Sequence, residues 1–317
     1  MNIVFLDRST LGDDLDTSVL EKYGKVVEYP ITPPELLKER VEDADVIVIN
    51  KIKVNQTLLE NAKKLRLVCE FATGYDNIDL ELCRERGVAV CNVVGYSTES
   101  VAQITLATVL NLYCHLPEYA RATMNGEYTK GGVANILVPP YRELFGKTWG
   151  VVGYGNIGRA VGRVAKTLGC KVIVNKRTPC EDAEIVDIDT LCREADIITL
   201  HTPLNDGTRG IISRERISNM KDGVVIVNEA RGAIWDESAV RDGILSGKIG
   251  AIGCDVFSYE PFDEKHPFWS IKGLDNVCLT PHMAWAAYEA RCRCLSETEK
   301  NIISFLSGGD RNRVDLK

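Results

Sequence analysis

The chain lacks most of the features that would settle its class cheaply. No apolar run approaches the roughly 18 residues needed to cross a bilayer, so a soluble chain is expected. No basic segment precedes the first apolar run, Ile3 to Leu6, so no secretory leader is expected either. No CxxC or HExxH pattern occurs, and no His/Cys spacing suits a metal, so none is expected. The 11 cysteines are scattered; Cys292 and Cys294 form a bare CxC. They read as reduced thiols of a cytoplasmic protein. Positive charge is also short: 38 Lys and Arg against 45 Asp and Glu leave a net charge of -7. Such a chain has no global field for nucleic acid or an anionic membrane, and neither is expected as a partner.

What remains is ordinary globular composition, 45% hydrophobic and 26% charged over 317 residues. That length suggests two domains. Short apolar runs alternate with helical stretches. The first series holds Ile3–Leu6, Lys25–Tyr29, Val46–Ile49, Leu65–Cys69 and Val88–Cys91. Helices are expected over Asp16–Tyr23, from Thr32 through Arg40, over Thr57–Ala62 and over Asp79–Gly87. A second series runs from Trp149 to Leu279. Fully apolar strands between helices mean parallel sheets covered on both faces. The expected fold is therefore α/β, with two doubly wound, Rossmann-like domains and a cleft between them.

Residues 1–97 and 288–317 should form one domain, closed by a helix over Glu289–Leu306, and residues 98–287 the other. Ser97 to Leu116 reads as a buried helix, with His115 on it. Residues 118–144, rich in Gly and Pro, show little periodicity and read as an irregular arm that meets a partner chain.

Val151-Val152-Gly153-Tyr154-Gly155-Asn156-Ile157-Gly158 matches GxGxxG between an apolar strand and a helical run. Gly153 allows the tight turn, Gly155 admits a pyrophosphate, and Gly158 lets helix and strand pack closely. The helix N-terminus then faces the phosphates with free N–H groups. The next strand ends at Asn175, followed by Lys176 and Arg177, where an NAD enzyme usually carries an acid. Two cations there favour NADP over NAD.

Arg231, Glu260 and His282 follow three later strands. Reduction of a 2-oxo acid needs a proton at the carbonyl oxygen and a grip on the carboxylate. Arg231 supplies a planar fork, and His282 a proton near neutral pH. Glu260 can orient the imidazole and raise its proton affinity. His266 reads as a loop residue, and His201 as a neighbour of the cofactor.

These motifs resemble the D-isomer-specific 2-hydroxyacid dehydrogenase family over nearly the whole chain. The stretches Asn92–Gln103, Glu143–Thr148 and Thr280–Ala286 resemble its glycerate dehydrogenase (hydroxypyruvate reductase) branch. The resemblance implies the same triad of Arg231, Glu260 and His282. It implies that Ala72, Thr73 and Gly74 offer backbone N–H groups to the substrate carboxylate. It places Thr98, Thr202, Pro203, Ala230 and Asp255 along the cofactor, and makes the arm the contact of a homodimer. The implied reaction joins NAD(P)H to hydroxypyruvate or glyoxylate, giving D-glycerate or glycolate. Pyruvate or a branched 2-oxo acid is the alternative substrate, and a dinucleotide-sensing protein without turnover the alternative class. Glu229 departs from the family pattern; it can pair with a nearby cation or crowd the nicotinamide ribose.

Overall fold

Four- and five-residue runs of Val, Ile and Leu cannot reach water on either side, so they assemble edge to edge under helices. The computed structural model describes residues 1–316. The chain divides into two compact units, one of Met1–Ser97 with the stretch from Ala286, the other of Thr98–Trp285.

The first unit begins β1 (Asn2–Phe5), β2 (Lys25–Glu28), α1 (Leu37–Val41), β3 (Val46–Ile49) and α2 (Gln56–Asn61). It continues with β4 (Leu67–Glu70), α3 (Leu80–Glu85) and β5 (Ala89–Cys91). Its five strands are parallel, in the order β2-β1-β3-β4-β5. Ile47, Ile49, Val68 and Val90 bury one face against Val41, Leu58 and Cys83. Two expected helices come out tighter or shorter. Ser18–Tyr23 is a 3-10 helix, and Pro34–Leu36 is another that leads into α1. Pro34 opens the 3-10 turn, a first-turn position that proline tolerates.

The second unit runs α4 (Thr98–Cys114), α5 (Leu116–Met124), α6 (Glu127–Lys130), β6 (Thr148–Val152), α7 (Asn156–Thr167), β7 (Lys171–Asn175) and β8 (Glu184–Ile185). Then come α8 (Ile188–Glu194), β9 (Ile197–Leu200), α9 (Arg214–Asn219), β10 (Val224–Asn228), α10 (Glu237–Ser246), β11 (Ile249–Cys254) and β12 (Val277–Leu279). The last helix, α11 (Tyr288–Leu306), belongs to the first unit and packs on β4. The seven-stranded parallel sheet has the order β12-β11-β10-β9-β6-β7-β8. Alternate residues of each strand serve opposite faces. Val225 and Val227 meet α4 and α7, while Val224 and Ile226 meet α8, α9 and α10.

The stretch 118–144 is not irregular throughout: it carries most of α5 and all of α6. Pro117 opens α5, where its missing N–H costs nothing, and Gly126 (φ 85°) restarts the chain into α6. His115 is not on the long helix. It stands between α4 and α5 with φ 50°, a left-handed break between them. The two-residue β8 had no legible signal, being exposed and too short for a period. No helix among the described residues is long and apolar enough to cross a membrane.

Candidate active site

In the larger sheet the strand order reverses at β6, which lies between β9 and β7. Ligands of open α/β sheets bind beyond the carboxyl ends of strands at such a switch point. The glycine loop lies there. Gly153 adopts φ 88° and its N–H bonds the Asn175 carbonyl at 3.0 Å. A Cβ on Gly158 would sit 2.2 Å from the Gly153 carbonyl oxygen, so only glycine lets α7 approach. Above Gly155 there is nothing within 4 Å of a Cβ, an open cradle for a phosphate. Gly155 and Asn156 are exposed at the α7 N-terminus and Ile157 is half-buried. These residues fit a dinucleotide pyrophosphate.

Tyr154, in the glycine loop, turns its ring inward. Its side chain is buried, stacks under Arg159 and fills the space over Gly162. Only its backbone belongs to the loop. Lys176 and Arg177 stand at the end of β7 with no ion pair among the described residues. Thr202 and Pro203 follow β9. His201 is enclosed with both ring nitrogens unpartnered, and burial lowers its pKa to about 3.

The three candidate catalytic residues follow three adjacent strands. Arg231 comes three residues after β10, Glu260 six after β11 and His282 three after β12. His282 Nδ1 lies 2.6 Å from Glu260 Oε2, with the two side chains 23% and 28% exposed. The other Glu260 oxygen accepts the Phe257 N–H at 3.0 Å. Nδ1 is thereby committed to the carboxylate, leaving Nε2 as the ring atom that can exchange a proton with a ligand. His282 has φ 54°, rare for a residue with a Cβ. Its surroundings hold it there. Asp255 accepts from Thr280 Oγ1 (2.6 Å), Met283 N (2.8 Å) and Ala284 N (2.9 Å), and Trp285 Nε1 donates to the His282 carbonyl at 3.0 Å. Asp255 thus clamps the segment carrying His282, a role invisible in sequence because its partners are 25 or more residues away. Arg231 donates from Nη1 to the Ala230 carbonyl at 2.8 Å.

Glu229 pairs with no cation. It is buried, and neither oxygen has a hydrogen bond. Burial first, and the negative Asp255 second, push its pKa up to about 9, against a smaller pull from Thr108.

In the first unit, Ala72, Thr73 and Gly74 follow β4. The Thr73 hydroxyl donates to the Val93 carbonyl at 2.7 Å, and Asn92 Nδ2 donates to the Thr73 carbonyl at 2.7 Å. The loop is therefore tied at Thr73 to the adjacent residues 92 and 93 that follow β5, with Thr73 itself exposed.

Such a glycine loop at a switch point, followed by Arg, Glu and His at successive strand ends, defines a dinucleotide-dependent oxidoreductase. The family model for the NAD-binding domain of D-isomer specific 2-hydroxyacid dehydrogenases matches residues 106–284. A hydroxypyruvate reductase of Blautia hydrogenotrophica is 35% identical, over 99% of this chain and 100% of that protein. Among solved structures, D-lactate dehydrogenase from Aquifex aeolicus, complexed with NAD and lactic acid, is 28% identical with TM-score 0.84, covering 97% of this chain and 96% of that one. An acyclic imino acid reductase (Bsp5), in complex with NADPH and D-Arg, is 28% identical with TM-score 0.83, covering 99% of both. This chain belongs to the D-isomer specific 2-hydroxyacid dehydrogenase family. It is an oxidoreductase that uses a nicotinamide dinucleotide.

Proposed function

We propose that the protein reduces hydroxypyruvate, and glyoxylate as a smaller substrate, to D-glycerate and glycolate. The observation that carries the chemistry is the 2.6 Å contact between His282 and Glu260 behind an open glycine loop. The hydroxypyruvate reductase at 35% identity supports the substrate. When bound, the reduced nicotinamide supplies the hydride. His282 Nε2 gives the proton to the carbonyl oxygen, and Glu260 stabilises the charged imidazole that precedes transfer. Arg231 grips the carboxylate and polarises the carbonyl. The N–H groups of Ala72–Gly74 complete the carboxylate site. Thr98, Thr202, Pro203, Ala230 and Asp255 line the cofactor.

The proposed cofactor is NADPH, because the unpaired Lys176 and Arg177 end β7 where a ribose 2′-phosphate would meet them. The working form is a homodimer joined through the arm. In that arm Met124, Leu137, Val138 and Tyr141 are exposed, a density of apolar surface unusual on a monomer. Eleven free cysteines support a reducing, cytoplasmic setting.

Absorbance at 340 nm tests the reading, with hydroxypyruvate, glyoxylate and pyruvate against NADH and NADPH. Hydroxypyruvate with NADPH should be fastest. His282→Ala should lower kcat at least about 100-fold while leaving cofactor binding intact. Faster pyruvate turnover would reassign the substrate, and faster NADH turnover the cofactor. Equal rates from His282→Ala and the unaltered enzyme would remove the proposed acid.

A further inference from the structure

His266 is one of four histidines in the chain, and its side chain is 0% exposed. Its Nδ1 accepts the Phe268 N–H at 3.1 Å. A ring nitrogen that accepts carries no proton, so the neutral ring bears its proton on Nε2. That nitrogen lies 3.0 Å from Glu237 Oε2, an ion-pair distance without hydrogen-bond alignment. The second Glu237 oxygen accepts the Ser258 N–H at 2.8 Å. One peptide earlier, Phe257 donates its N–H to Glu260, the partner of His282. Two carboxylates therefore hold consecutive peptide groups of one loop. Glu260 belongs to a half-exposed imidazole pair and Glu237 to a buried one.

The same loop is pinned elsewhere. A Cβ on Gly232, next to Arg231, would fall 2.1 Å from the Phe257 carbonyl carbon and 2.2 Å from Ser258 N. The rings of Phe262, Phe268, Tyr259 and Phe257 enclose the His266 ring at centroid distances of 5.0, 5.1, 5.3 and 5.7 Å. The charged neighbours are Glu237 from α10 and Asp263 from the loop, the latter bonded to the Tyr259 hydroxyl at 2.7 Å. On the other side, Glu260 faces His282, and Asp255 holds the N–H groups of Met283 and Ala284.

We propose that Glu237 and His266 are positioning residues: a buried carboxylate–imidazole pair that fixes the 257–260 backbone and so holds Glu260 against His282. The proposal rests on the reading of His282 as proton donor. The apolar rings alone would fill the space, but they cannot aim a peptide N–H. The Glu237 carboxylate does that through the Ser258 N–H, and the buried His266 ring, with Nε2 3.0 Å from Oε2, packs against the carboxylate and confines it.

The experiment compares pH profiles of kcat/KM for 2-oxo acid reduction, with NADPH affinity by fluorescence and Tm for each protein. The variants are Glu237→Gln and His266→Phe, with Glu260→Gln and His282→Ala as references. Reduction needs protonated His282, and Glu260 Oε2 lies 2.6 Å from its Nδ1. Displacing Glu260 should therefore move the alkaline limb to lower pH by roughly one unit. Both positioning variants should show that shift, a kcat lowered roughly tenfold, and NADPH affinity within about twofold of the unaltered enzyme. Glu260→Gln should shift the limb the same way. An unmoved limb in Glu237→Gln, with a moved one in Glu260→Gln, overturns the positioning role alone. An unmoved limb in Glu260→Gln overturns the underlying reading of the site. If His266→Phe does not fold, imidazole 15N spectra of the unaltered protein serve in its place. They should show His266 as the Nε2–H tautomer, and an Nδ1–H tautomer overturns the proposal.

Discussion

Glu229 stands two residues before Arg231, and its carboxyl group is buried without a hydrogen bond. A lone acid in a strand end gives no sequence sign of this; a cation partner was equally plausible. With a folded pKa near 9 against an ordinary 4.5, the folded chain keeps a proton that the unfolded chain releases. Below pH 4.5 both states hold it and there is no cost. From there up to about 9, unfolding releases a proton and stability falls as pH rises. Glu229→Gln removes that dependence. The variant's stability advantage, followed by Tm, should be near zero at pH 4.5 and widen towards pH 9, reaching on the order of 5 kcal/mol by pH 8. A constant difference across that range would show the carboxylate solvated. His201 acts in the opposite sense. Its folded pKa of about 3 lies below the ordinary 6.5, so stability is lost as pH falls through that interval.

At the scale of elements, the glycine loop and α7 were the most legible part of the chain. Apolar strand, spaced glycines and helical run all point to one geometry, and each glycine has a separate steric duty. The two duties can be separated. Gly158→Ala puts a methyl group into backbone carbonyl, which cannot yield, so it should lower Tm and weaken cofactor binding together. Gly155→Ala meets open space in the protein. It should leave Tm within about 2 °C yet weaken binding of the nicotinamide dinucleotide at least about tenfold. Calorimetry with fluorescence titration checks both. Equal behaviour of the two variants would mean that the loop does not cradle the pyrophosphate. The arm shows where element reading fails. Its prolines and glycines masked α5 and α6, because Pro117 and Gly126 sit at helix starts rather than in helix interiors.

For the whole molecule, the first unit depends on chain from both ends of the sequence. Arg293 Nε donates to the Tyr96 carbonyl (2.9 Å), Asn301 Nδ2 to the Asn92 carbonyl (3.0 Å) and Val90 N to Asp315 Oδ1 (2.8 Å). Cys294 and Ile302 of α11 are fully buried. Truncation after Ala287 should therefore unfold the first unit. The second, Thr98–Trp285, should still melt cooperatively and bind the cofactor, since its core draws on its own helices. Scanning calorimetry of the truncated chain should show one transition where the parent contains both units. Full retention of the first unit's structure by hydrogen exchange would contradict this account.

The sequence by itself determined the two parallel α/β series and the dinucleotide fingerprint, and singled out Arg231, Glu260 and His282 as the candidate catalytic residues. Those signals are local: apolar runs, glycine spacing and residue types that one reaction requires. Only the tertiary structure decided the rest. Asp255 clamps residues 280–284, Glu237 reaches His266 and the 258 peptide, Glu229 loses every partner, and Tyr154 turns inward. Each of these is set by groups from separate strands and helices. Burial and hydrogen bonding are properties of what surrounds a residue, and neighbours in sequence do not supply those surroundings.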